Sequence, residues 1–509
     1  MSNMSKSNSF LGRIILALIL MVGFYLLAIG IAAILILLPV AEIVFANQIH
    51  PKIAILCVIG GAMILWSILP RWDRFIAPGP RLSEKEEPEL FRALQSVAHA
   101  TNQQMPAEVY ALPEMNAWVA SRGGIMGIGS RRVMGIGIPL MQVLSTQQFR
   151  GVLAHEFGHY YGGDTKLGPW IFVTRSAIIR TVVNLGNNGS SILMKPFEWY
   201  MMLFLWLTQK VSRQQEFTAD ALAAETVGPK PIAEALKVTH THSALFQAYW
   251  DNVYAPILQD GYQTPIAQGF RMFVGKTQDA ANELLVHAMK EEQSSIYDSH
   301  PSLKDRLDAI ARVHGPEPLK SDPPAIQLIR DVEKLETEMI SSLARSIGVS
   351  VPKPISWDDV SELVTVPDLV KYLKFAAGKL EGVQLWQAAE LFESAEHREK
   401  LLSDLITSTV SASAAQSGVA VHTQVSTFTA RLLAVWMLLA LRGKGWRIRT
   451  VVAEAPSAEK EGVEIEPFSL VGQLLEKKIN LADFQDRLEE LGIDDIEWNS
   501  LIPAEAPDA

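Results

Sequence analysis

Cysteine is almost absent from this chain: Cys57 is the only one among 509 residues, and it lies inside an apolar run. No disulfide can form within the chain, and a zinc site built on thiolates is excluded. Any metal must therefore be held by His, Asp or Glu. Basic tracts are missing as well. The formal net charge is -10 and no Lys/Arg patch stands out, so nucleic acid is excluded as a partner. A dinucleotide cradle is also lacking. The Gly-x-Gly pairs between Met115 and Met141 do not have the full fingerprint spacing, and no helix opens at them, so they read as tight strand packing.

Long apolar runs are present, both near the N-terminus. Ile14 to Leu38 reads IILALILMVGFYLLAIGIAAILILL, uncharged and long enough to cross a bilayer. Ile53 to Leu69, IAILCVIGGAMILWSIL, is shorter and equally free of charge. A secretory signal would have a shorter apolar core and a small-residue cleavage site, so the first run is expected to stay as an anchor. The two runs form a hairpin. Lys6 and Arg13 precede it, Arg71, Arg74, Arg81 and Lys85 follow it, and the connecting loop carries only Lys52. By the positive-inside rule the N-terminus and everything after residue 76 are cytoplasmic.

Beyond the hairpin, EKEEPELFRALQSVAHATN has helical periodicity with acids at its start, which suits the helix dipole. AEVYAL is a predicted strand, and small and apolar residues on either side of Ser130, Arg131 and Arg132 predict a β-hairpin. The decisive stretch is GVLAHEFGHYYGGD, residues 151–164. Ser145 and Gln148 form a capping box that opens its helix, and Gly162-Gly163 is expected to stop it. His155 and His159 are one turn apart, so both imidazoles point the same way and can fill two corners of a zinc tetrahedron. Glu156, one residue round from His155, can reach an attacking water without ligating the metal, as a general base must.

Two histidines four apart can also be plain helix surface, so a third ligand is needed. The metzincin spacing would put it at Thr165, a poor ligand, with Asp164 one place early, so that subclass is not expected. SRQQEFTADALAAE, residues 212–225, supplies an alternative. Glu216 can complete a His₂Glu site, and Asp220, one turn on, can accept a hydrogen bond from a ligand imidazole. Ala219 and Ala221 allow that helix to pack closely. His240 and His242 are two apart on a helix and face opposite sides, so chelation by them is not expected.

Four motifs in this order, NAWV (116–119), LAHEFGH (153–159), EFTAD (216–220) and SHPSLKDRL (299–307), follow an apolar hairpin. In this the chain resembles the HtpX-type and CAAX-prenyl-endopeptidase-type membrane zinc metallopeptidases over roughly residues 14–313. The resemblance implies that Asn116 holds the substrate backbone beside an edge strand. It implies that His300 stabilises the oxyanion near the scissile carbonyl, and that Arg306 shapes the site. Members often carry further membrane spans after the metal helix. Here Arg175 and Arg180 interrupt residues 167–186 and the apolar run 197–211 is short, so both read as helices on the membrane or against the hairpin, with buried core helices or full spans as the alternatives.

GPEPLKSDPP, residues 315–324, reads as a linker by its prolines. Helical patterns follow over 326–347 and from 357 to about 407. RLLAVWMLLAL, residues 431–441, is too short to span and reads as a core helix. WRIRTVV and GVEIE read as short strands, two amphipathic helices run from Phe468 to about Leu491, and the acidic, proline-containing end reads as disordered.

The expected fold is α+β and mainly helical. A transmembrane helical hairpin (1–76) precedes a zincin-like metallopeptidase domain with a small Gly-rich sheet (77–314). A linker (315–324), a separate α+β accessory domain (325–495) and a disordered tail (496–509) complete it. The expected function is a membrane-bound endopeptidase with one Zn²⁺ per chain, held by His155, His159 and Glu216. Glu156 and His300 are catalytic, Asp220 supports a ligand, and Asn116 binds substrate. Its partners are unfolded or membrane-associated protein substrates and the lipid bilayer, with a homo-oligomer or a regulatory membrane protein as further candidates. The rival reading is a non-catalytic membrane scaffold or chaperone that keeps a structural zinc.

Overall fold

The structure, a computed structural model, describes residues 2–71, 75–123, 129–159, 168–187, 191–290, 301–376, 382–393 and 421–501. It is mainly helical and divides into two compact units, Met1–Gln247 with Thr277–Val349, and Ala248–Lys276 with Ser350–Ala509.

In the first unit the apolar runs form α1 (Ser2–Ala41), continued by a π-helical turn Glu42–Ala46, and α2 (Pro51–Ile68). Asn47 ends the first helix in the left-handed conformation, and Pro51 opens the second where its missing N–H is harmless. Leu18–Ala46 and Pro51–Ile68 are each long and apolar enough to cross a bilayer. Leu26, Ile34, Leu56 and Trp66 on these helices are exposed.

The sheet follows: β1 (Arg81–Leu82), then α3 (Pro88–Ala100), β2 (Glu108–Leu112), β3 (Ala117–Arg122) and β4 (Arg131–Gly137). Its order is β1-β2-β4-β3, with β2 parallel to β4 and β3 antiparallel to β4 from Ala117↔Ile136 to Arg122↔Arg131. Strand β3 is therefore an edge. Gly137 ends β4 so close to the preceding loop that a Cβ there would fall 1.9 Å from the Glu114 carbonyl oxygen. Next come α4 (Ile138–Val143) and α5 (Thr146–Gly158). Leu90, Leu94 and Val97 of α3 and Phe149, Leu153 and Phe157 of α5 are all buried, the apolar stripe that the periodicity predicts.

The expected capping box is present: Ser145 accepts from the Gln148 N–H and Gln148 reaches back to the Ser145 N–H. The proline-rich segment 315–324 is no free linker. Asp322 accepts from the Gln147 N–H at 2.8 Å and from the Ser145 hydroxyl, and the Pro323 carbonyl accepts from the Thr146 N–H at 2.8 Å. Prolines cannot donate, but their carbonyls can satisfy the orphan donors of a helix start. Gln147, buried, accepts from the Leu319 N–H and donates to the Val227 carbonyl, both at 2.9 Å. Residues 325–349 also belong to this first unit.

Helices α6 (Gly168–Asn187) and α7 (Ser191–Val227) lie against the hairpin. Phe24, Ala28 and Ile64 share a buried cluster with Ile178, Leu185, Phe197 and Phe204. Tyr200 donates to the Leu20 carbonyl at 2.5 Å. The same α7 continues out of this cluster to Glu216, about 18 Å further along its axis than Phe204.

In the second unit the helix Val421–Gly443 is the core, with every residue from Leu432 to Leu441 buried. The helices Val366–Ala376, Leu385–Glu393 and Pro467–Leu475 pack on it, and Leu481–Glu490 joins the same buried cluster through Phe484 and Leu488. A three-stranded antiparallel sheet is made of Arg447–Arg449, Ser457–Lys460 and Val463–Ile465; its middle strand, short and polar, has no hydrophobic signature. Residues 248–276 belong here: Tyr262–Gln263 pair with Lys353–Pro354, and the Trp357 indole donates to the Pro265 carbonyl at 3.0 Å. Order extends past residue 496, where a disordered tail was expected, because Trp498 is fully buried edge-on against Trp436 with ring centroids 4.8 Å apart. The final PAEAPDA lies outside the described residues.

Trp498→Ala is expected to destabilise this unit by about 3–5 kcal/mol. Hydrogen exchange read across Val421–Gly443 should accelerate; unchanged protection would contradict the packing described.

Candidate metal centre

Helices α5 and α7 touch with almost nothing between them. A Cβ placed on Gly158 would lie 2.7 Å from Ala219 Cα and 2.9 Å from Ala219 Cβ. Only glycine permits that approach, and it brings the carboxylates of α7 onto the imidazoles of α5. Glu216 Oε2 is 3.5 Å from His155 Nε2, and Glu216 Oε1 is 3.8 Å from His159 Nε2. The two imidazole rings stand nearly perpendicular, 83° apart, with centroids 4.8 Å from each other. His155, Glu156 and His159 each offer a donor atom within 4.8 Å of the others.

These separations suit a metal ion. Donors bound tetrahedrally at about 2.0–2.1 Å stand about 3.3–3.5 Å from one another. Two imidazoles and one carboxylate with no thiolate form a His₂Glu donor set, and Glu216 is buried to 3 % exposure where water cannot compensate it. On its other side His155 Nδ1 lies 2.9 Å from Asp220 Oδ1, which turns Nε2 toward Glu216.

Asp220 is itself gripped by Arg306. That residue sits on the helix Leu303–Ile310, opened by Ser302, whose hydroxyl accepts from the Asp305 N–H. Arg306 Nε donates to Asp220 Oδ2 at 2.8 Å and Nη2 donates to Oδ1 at 2.7 Å, a bidentate fork. Nη2 also lies 3.4 Å from Glu216 Oε2. Burial alone would raise the Asp220 pKa. The Arg306 and His155 hydrogen bonds and the charges behind them outweigh it and hold the group at about 2. The Arg306 pKa, lowered by burial, is raised overall by the same pairing.

Glu156 behaves oppositely. Burial pushes its carboxyl up to about 7, with the Glu216 charge adding to the rise; His155, the Val119 N–H and Arg306 pull the other way. Val119 is on the sheet edge. Gly137 N–H donates to the Asn116 carbonyl at 2.8 Å, so residues 116, 118 and 120 turn their backbone groups toward β4. Ala117, Val119 and Ser121 then turn theirs outward, and Val119 meets Glu156. This contact has no sequence signal, because it depends on strand register.

The structure thus brings His155, His159, Glu216, Glu156 and Asp220 together. Asn116 is exposed immediately before β3 and is not part of the ligand cluster. His300, with Asp164 and Thr165, lies outside the described residues. Helix α5 closes at Gly158, with His159 as its C-cap, earlier than Gly162.

Residues 84–314 match peptidase family M48. The chain is similar to Protease HtpX of Idiomarina loihiensis, 25% identical over 275 residues, covering 49% of this chain and 82% of the relative. It is similar to the Protease HtpX homolog of Acaryochloris marina, 22% identical over 245 residues, with 45% and 73% covered. The Protease HtpX homolog of Campylobacter hominis is 25% identical over 250 residues, with 46% and 78% covered. No solved structure matches.

Asp220→Asn should lower unfolding free energy at pH 7 by about 2–4 kcal/mol, since it leaves a buried arginine unpaired. Because the folded pKa is depressed, that stabilisation is present above about 4 and is lost as pH falls toward 2. Denaturant titrations of wild type and variant should therefore converge over that range; a gap independent of pH would contradict the pairing. Gly158→Ala should force the helices apart and weaken metal retention at least about ten-fold, and unchanged metal content after dialysis would contradict the close approach.

Proposed function

We propose that this chain, whose residues 84–314 match peptidase family M48 and which is similar to Protease HtpX, is a membrane-seated zinc endopeptidase. Its substrates are unfolded or membrane-associated proteins, cut on the cytoplasmic side of the inner membrane in protein quality control. One observation carries the reading above the others: a buried carboxylate on α7 faces both imidazoles of the α5 motif at 3.5 and 3.8 Å.

His155, His159 and Glu216 are the residues that would hold zinc. When bound, zinc supplies Lewis acidity toward a carbonyl and lowers the pKa of a coordinated water. The chain's own groups do the rest. Glu156, with its carboxyl near 7, takes a proton from the attacking water and passes it to the departing amine. Asp220 keeps His155 in one orientation, and Arg306 keeps Asp220 ionised. The outward backbone groups of Ala117 and Ser121 on β3 accept an extended peptide as an added strand, with Asn116 beside it holding the peptide backbone. His300 serves as the donor to the developing oxyanion.

The bilayer seat of α1 and α2, with the N-terminus and peptidase segment cytoplasmic, is supported by their apolar lengths and by the flanking basic residues. The interrupted α6 and the short apolar part of α7 favour protein substrates over a prenylated peptide held in a multi-span chamber.

Glu156→Gln should keep one zinc per chain, measured by metal analysis of detergent-purified protein. Casein cleavage should fall by at least about 100-fold. Retained cleavage would remove Glu156 as the base, and retained cellular function without cleavage would favour the scaffold reading.

A further inference from the structure

Helix α5 turns glycine toward α7 at two levels. A Cβ on Gly151 would lie 3.0 Å from Val227 Cγ2, just as one on Gly158 would meet Ala219. Glycines let two helices approach closely, but they offer no side-chain ridge to seat in a groove, so they do little to stop one helix sliding along the other. A slip of one residue would move each imidazole about 1.5 Å along the axis, whereas metal–donor distances tolerate only about 0.2 Å. The His155–Asp220 bond holds the register at one end, and it belongs to the centre itself.

A second lock sits at the other end of α5 and uses none of those groups. The buried Gln147 amide donates to the Val227 carbonyl in the last turn of α7, and its oxygen accepts from the Leu319 N–H, both at 2.9 Å. Leu319 belongs to the segment 315–324, which is seated on that same end of α7. A Cβ on Gly315 would lie 2.1 Å from the Ala224 carbonyl oxygen, and one on Gly228 would lie 2.2 Å from the Pro316 carbonyl oxygen. The segment then reaches the start of α5. Asp322 accepts from the Ser145 hydroxyl and from the Gln147 N–H at 2.8 Å, and the Pro323 carbonyl accepts from the Thr146 N–H at 2.8 Å and its hydroxyl at 2.9 Å.

We propose that the strap 315–324 is a positioning element of the metal centre, acting through Asp322 and Gln147. It fixes α5 along α7 in the register at which His155 and His159 face Glu216. The strap touches no ligand; it holds the two helices that carry them, just over two turns before His155 on α5. Metal retention therefore depends on a segment outside residues 84–314, the part that matches the peptidase family. The role rests on the reading of His155, His159 and Glu216 as zinc ligands.

The test uses the full chain purified in detergent. Zinc affinity is measured by competition with a coloured chelator, and thermal unfolding is measured on the same proteins after the metal is stripped. Asp322→Ala and Gln147→Met should each lower zinc affinity about ten-fold, the usual effect of removing a group that orients ligands without touching the metal. Asp331 supplies the control, because it caps the helix Val332–Ile347 in the same manner, accepting from the Lys334 N–H at 3.1 Å. Asp331→Ala should lower the unfolding temperature, as loss of a cap does, and leave zinc affinity unchanged. Asp322→Asn keeps an oxygen for the Gln147 N–H. It should bind zinc more weakly than the wild type and more tightly than Asp322→Ala, and it takes the place of the alanine variant if that one does not fold. Wild-type affinity in a folded Asp322 or Gln147 variant would overturn the strap's role, and so would an equal loss in Asp331→Ala. A wild type that holds no zinc would instead refute the metal centre on which that role rests.

Discussion

Helices α5 and α7 meet at Gly158 and Ala219 with no side chain to hold them apart, and the site depends on that contact. A metal centre needs donors placed to a fraction of an ångström, and neither helix alone has enough of them. The close approach puts Glu216 opposite His155 and His159, and it buries Asp220 beneath His155. Burial makes Asp220 dependent on Arg306, which ties a third segment, Leu303–Ile310, to the same few ångströms. Three stretches distant in sequence are thereby held by one buried charge network, in which removal of any member leaves another unpaired.

The rest of the first unit reinforces this geometry. The strap 315–324 caps the start of α5, and Gln147 links that start to the far end of α7. One uninterrupted helix runs from the apolar cluster at Phe197 and Phe204 to Glu216. The same helix thus carries part of the apolar cluster at one end and Glu216 toward the other.

Much of this was legible in residue spacing. The turn-spaced histidines, the Ser145 cap, the acidic pair on α7 and the apolar runs are local patterns, and local patterns report helices well. The core helix at 431–441 was legible because an apolar run too short to span must be buried. What escaped was non-local. Nothing in GPEPLKSDPP says that Asp322 will cap a helix far upstream, and nothing in residues 248–276 says that they pair with Lys353–Pro354. The strand Ser457–Lys460 is too short and polar to show a period, and Gly158 is one glycine among many until its neighbour across the interface is known. The Val119 contact to Glu156 depends on strand register, which no single segment encodes.

The convergence of two imidazoles and one carboxylate on a single ion is best tested by zinc K-edge X-ray absorption on the purified full chain. The spectrum should show a shell of nitrogen and oxygen donors at about 2.0–2.1 Å, with the outer-shell scattering of two imidazoles and no sulfur. Glu216→Ala should change the inner shell while keeping the imidazole signature. A spectrum without two imidazoles, or one unaltered by Glu216→Ala, would contradict the site.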